Sequence, residues 1–202
     1  MLNSVNSNVF RSANVQNLRN PAFGGSNLSI PKGTSWDLDA IADEVLIRGV
    51  AAKNVEAKDA MIFEGGQVEG SVYAEDAVHN FGVIGEDMIA GYAENRGRVK
   101  NVTGNTVINS GEIDGDIDAS KIELREVSNR IKGTGVKESK VAGDVIIDNI
   151  DGKGSVRITN KDVKVDGSFI FKGKKGVVEC PKEMADSLRI VNGKAKPLNI
   201  II

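Results

Sequence analysis

From Leu38 to about Val165 the chain repeats a phrase in which apolar and polar positions alternate. Val55-Glu-Ala-Lys-Asp-Ala-Met-Ile recurs as Val72-Tyr-Ala-Glu-Asp-Ala-Val, and Leu38-Asp-Ala-Ile-Ala-Asp stands the same distance before it, a period of about 17 residues. Related phrases follow as Ile117-Asp-Ala-Ser-Lys-Ile-Glu-Leu, Val136-Lys-Glu-Ser-Lys-Val and Val156-Arg-Ile-Thr-Asn-Lys-Asp-Val. Within each phrase the period is two. One face carries Val, Ile or Ala and the other Asp, Glu, Lys or Asn, as in a strand with one buried and one wet side. Gly65-Gly66, Gly82, Gly85, Gly111, Gly115 and later glycines separate the groups and mark corners. Three short strands and three corners fill about 17 residues, one turn of a triangular coil. The pattern therefore predicts an all-β, single-stranded β-helix (a β-solenoid) of about 17–20 residues per coil. Ala57, Ala60, Ala74, Ala77 and Ala119 suit its tight interior.

The register is uneven. An equal step from Val72 lands on Ile89, but Ile117 lies roughly 28 residues further on, and later steps lengthen to about 19 and 20. Gly91-Tyr-Ala-Glu-Asn-Arg-Gly-Arg98 falls in the long gap and reads as a short extra coil or a loop. That makes Tyr92, Asn95, Arg96 and Arg98 the candidate partner-binding insertion. Six to eight coils are expected.

The ends differ from the repeat. Residues 1–34 are rich in Asn and Ser, carry no acidic residue and lack periodicity, so they read as a disordered or loosely ordered tail. Thr34-Ser35-Trp36-Asp37 opens either a helix or the first coil of a solenoid over residues 35–179. Residues 180–202 read as a cap. Pro181 starts a short helix with Met184, Leu188 and Val191 on one stripe, Gly193 stops it, and Pro197–Ile202 forms a last strand.

Composition narrows the chemistry. Only 4% of residues are aromatic, against the contact area that pockets and sugar clefts draw from rings. A net charge of −2 without a basic stripe argues against nucleic acid. Lone Cys180 forms no internal disulfide and reads as a small buried hydrophobe. No apolar run is long enough for a membrane span, and the N-terminus lacks a secretory pattern. The single histidine, His79, reads as a corner residue, and its being alone removes the base of a Ser or Cys triad. No cofactor motif occurs. One acidic cluster stands out: Asp114, Asp116 and Asp118, with Glu112, alternate as though along one strand face. Such a face fits either a cation or sugar site, or a solvated surface.

Gly111-Glu-Ile-Asp-Gly-Asp-Ile-Asp-Ala119 and Gly66-Gln-Val-Glu-Gly-Ser-Val-Tyr-Ala74 resemble the repeating unit of bactofilins. That resemblance covers about residues 50–165. It implies a right-handed triangular β-helix and a non-catalytic, bactofilin-like structural protein of the bacterial cytoplasm, self-assembling through the solenoid ends. An exported surface or effector protein that uses the solenoid as a binding face, leaving by a non-classical route, is the alternative. A β-helix carbohydrate enzyme is the third reading. The expected partner is a protein or a second copy.

Overall fold

The computed structural model describes residues 26–127 and 138–198. It is a parallel β-solenoid of about nine turns, more than the six to eight expected, with no α-helix among the described residues. Nine rungs stack: the six long strands Ala40–Ile47, Val55–Ile62, Val72–Asn80, Asp87–Asn95, Asn101–Asn109 and Ile117–Leu124, then three rungs each split in two. The split rungs are Val145–Asn149 with Ser155–Ile158, Phe169–Gly173 with Gly176–Cys180, and Ile190–Val191 with Gly193–Pro197. Eight two-residue strands, from Ser35–Trp36 to Lys164–Val165, build the second sheet on the remaining side.

Each long rung is bent, and the repeated phrase explains the bend. In Val55–Ile62 the residues Val55, Ala57, Ala60 and Ile62 point inward, while Lys58 and Asp59 both point out. Two successive outward residues break the period-two alternation and turn the strand. Ala40–Ile47 and Ile117–Leu124 follow the same scheme. On the third rung Glu75 and Asp76 together oppose the single Lys58 below and the single Gly91 above, a bulge that widens the bend. The core is a column of Val, Ile and Ala running through the stack, ending in Phe169 and Phe171.

The coil length differs from expectation. Paired first positions of successive rungs run Ala40, Val55, Val72, Met88, Val102, Ile117, Val145, Phe169 and Ile190, so the early steps are short and the later ones long. Residues joined by side-chain hydrogen bonds across one turn show the same drift. They stand 17 positions apart at Asn54 and Ser71 and 14 at Asn95 and Asn109, then 28 at Asp116 and Asp144 and 24 at Asp144 and Ser168. The apparent gap between Ile89 and Ile117 is no insertion but tightened coils, with Asn101–Asn109 as a complete rung inside it. The long later steps carry excursions at the corners, such as residues 150–154 inside the seventh rung.

At the N-terminal end the first-coil alternative holds: Trp36 lies in a short strand and Ala40–Ile47 is the first long rung, with no opening helix. Other expectations at the ends are corrected. Asn27–Ile30, read as tail, is a strand paired with that rung. The capping helix is reduced to a 3-10 turn, Lys182–Met184, at the place where earlier coils have a two-residue strand. The chain between Pro181 and Ile190 must rejoin the stack, and so short a helix gains little against ladder pairing. Met184 and Leu188 still pack on the core. The final strand is Gly193–Pro197, which continues the stack. Residues 199–202 lie outside the described residues, as do residues 1–25 and Val136.

Candidate functional site

Two polar ladders position the rungs. The residue just before the first inward position of each of the first eight rungs is Asp39, Asn54, Ser71, Asp87, Asn101, Asp116, Asp144 or Ser168. Side chains of this column reach the next turn. Asn54 N–H donates to Asp39 Oδ1 at 3.2 Å, Ser71 N–H to Asn54 Oδ1 at 3.0 Å, and Asp116 N–H to Asn101 Oδ1 at 2.9 Å. Asp144 N–H then donates to Asp116 Oδ1 at 2.7 Å, and Ser168 N–H to Asp144 Oδ1 at 2.8 Å. Corner N–H groups that the sheet leaves unpaired are satisfied in this way. The spacing was hidden from the sequence because the residue type varies among Asp, Asn and Ser.

The second ladder lies inside. Asn80, Asn95 and Asn109 are fully buried at the last inward position of three successive rungs. Asn80 Nδ2 donates to Asn95 Oδ1, and Asn95 Nδ2 to Asn109 Oδ1, each at 2.8 Å. They also donate to the carbonyls of Arg98, Glu112 and Gly111. Asn95 therefore belongs to the core and presents nothing to a partner.

The other residues expected in an insertion sit on the outer wall. Tyr92 lies beside His79, ring centroids 5.7 Å apart. Arg96 pairs with Glu94 at 2.6 Å and lies over the Phe81 ring. Glu94 also holds His79 Nδ1 at 2.9 Å. Burial pushes the Glu94 carboxyl up, but hydrogen bonds from Arg96 and His79 outweigh it and leave it below the usual carboxylate range. Burial foremost, and then the Glu94 charge, raise the Tyr92 phenol. Arg98 is on a short strand of the second sheet, gripping Glu112 at 2.5 Å with Asp114 at 3.8 Å. The four residues are thus distributed between interior, wall and second sheet.

The acidic trio is likewise divided. Glu112 is on a short strand, Asp114 and Asp116 span the corner, and only Asp118 is on the rung. Asp116 is a member of the corner ladder, and Asp118 pairs with Lys172 at 2.8 Å. The sequence period of two failed here because Gly115 lies at a corner, where alternation does not continue. Among the described residues, no three of His, Cys, Asp or Glu converge to hold a metal ion. Buried Cys180 has its thiol pushed up by burial, which disfavours the reactive thiolate.

One surface feature with room for a ligand is a cavity of about 490 Å³ between residues 163–169 and 184–189; a wider one is a shallow groove of about 630 Å³ along the bend. Its floor is Ala90, Gly91, Gly104, Asn105 and Ser120 of the fourth to sixth rungs. Glu75 bounds one end, and Asp148, Ile150 and Lys172 the other. A smaller adjoining depression is lined by Glu56, Tyr73 and Ile89. Tyr73 and Ile150 are exposed, the latter at 69%. Small residues at three successive bends make the groove, and no local signal distinguishes them from core alanines and glycines. No family model, curated protein or solved structure matches the chain, so the site is read from its own geometry.

Proposed function

We propose that the protein is a non-catalytic interaction scaffold that binds protein along its lateral wall. The observation that carries this reading is how the outward charges are used. Asp118 with Lys172 and Glu94 with Arg96 on the wall, and Glu112 with Arg98 and Glu86 with Lys100 at the second sheet, are ion pairs that tie neighbouring side chains together. A general acid or base needs a proton held ready near neutral pH, whereas these carboxylates are each committed to a cation. The groove beside them is open and shallow, a shape for an extended macromolecular surface.

The test is a challenge with neutral and uronate-containing polysaccharides, with and without calcium. No product release is expected. Cleavage that disappears in Asp118→Asn would overturn the scaffold reading in favour of a carbohydrate enzyme. Association through the ends is a second reading, favoured by one observation. Among the described residues Asn27–Ile30 pairs only with the first long rung and Gly193–Pro197 only with the eighth. Electron microscopy of concentrated protein would then show filaments lengthening along the solenoid axis.

A further inference from the structure

Charge is unevenly distributed along the solenoid axis. Residues 26–127 contain nine basic and nineteen acidic side chains, a net charge of −10, whereas residues 138–198 contain twelve basic and nine acidic, a net charge of +3. The same polarity runs along the bend. At the second and third rungs it presents Glu56, Asp59, Glu75 and Asp76, all exposed. At the eighth rung it presents Lys172, Lys174 and Lys175, also exposed. Between them lies the floor of the groove, Gly91, Gly104, Asn105 and Ser120, with Asp118 paired to Lys172 and Asp148 on its border.

A surface that presents an acidic cluster at one end and a basic cluster at the other is complementary to itself after a two-fold rotation. We propose that the occupant of the groove is a second copy of this chain, lying antiparallel against it. The two-fold axis passes between the Gly104 and Ser120 levels. From the third to the eighth rung is five strand spacings of about 4.8 Å, roughly 24 Å. Rotation about that axis places Glu75 and Asp76 of each copy against Lys174 and Lys175 of the other. The contact is isologous, so every favourable charge pair occurs twice and the assembly closes at two. Glycine, alanine and serine at the centre allow the two backbones to approach. Exposed Tyr73 and Ile150, at the groove's ends, supply apolar contact that a lone solenoid leaves in water. This names the partner of the wall described above and rests on that reading.

Sedimentation velocity of the full chain tests it. The wild type is expected to be dimeric in about 0.01 M salt, with affinity falling at least tenfold by about 1 M as the Debye length shrinks from about 30 to about 3 Å. The E75K/D76K and K174E/K175E variants, both at exposed positions, are each expected to be monomeric with circular dichroism unchanged. Their equimolar mixture is expected to restore a dimer. A mixture that stays monomeric overturns the proposal, as does association indifferent to either reversal. A wild type that is monomeric throughout overturns it too but leaves the scaffold reading standing with a different partner. Polysaccharide cleavage overturns the scaffold reading itself.

Discussion

Asn80, Asn95 and Asn109 occupy inward positions that the neighbouring rungs fill with Ile62 and Leu124. A buried amide is tolerated only with its hydrogen bonds made, and stacking one turn above another makes them between identical groups. Asn95 sits in the middle and serves both neighbours. Asn95→Ala removes the donor to Asn109 and the acceptor for Asn80 at once, leaving buried polar atoms unpaired. The expected loss is about 2–4 kcal/mol in urea denaturation. Arg98→Ala, which breaks an exposed pair with Glu112, should cost at most about 1 kcal/mol in the same assay. Equal losses at the two positions would refute the assignment of Asn95 to the core.

At the scale of the element, the corners decide coil length. Gly49, Gly66, Gly82, Gly97 and Gly111 stack at the corner after the long rung. A Cβ on Gly97 would collide with the carbonyl oxygen of Gly82, a backbone atom that cannot swing aside. Gly65 is different, since its φ is +81° and the space around it is open. Gly97→Ala is therefore expected to abolish folding or cost more than about 3 kcal/mol, and Gly65→Ala only about 1 kcal/mol from left-handed strain. Thermal melting of the two variants checks the order. These elements also show what was legible. The inward–outward scheme of Val55–Ile62 could be read from the sequence, because side-chain direction follows residue by residue. The tightening of the coil around Asn101–Asn109 could not, since it depends on which corner residues the stack admits. The same holds for residues 181–189, where apolar spacing suggested a helix and the need to rejoin the ladder left one 3-10 turn.

For the whole molecule, each rung touches mainly the one above and the one below, so stability is transmitted between neighbours. Hydrogen exchange should be slowest in the third to sixth rungs and quicken toward both ends; uniform protection across all nine would contradict that picture. The charge polarity that supports lateral pairing belongs to this scale as well. It is countable in the sequence, yet only the stacking places Glu75 and Lys174, far apart in the chain, on one edge.

The sequence by itself determined the class of the fold: alternating Val, Ile and Ala with glycine corners at a short period admit a stacked coil and little else. It also singled out one acidic cluster, Asp114, Asp116 and Asp118, as a candidate face. The tertiary structure decided the register, and with it the fate of every candidate side chain. Asn95 went inside, Asp116 into a corner ladder and Asp118 to Lys172. The reason is that local alternation specifies only in or out, whereas contact across turns depends on how many residues each corner holds. One residue more or less at a corner changes which side chains meet.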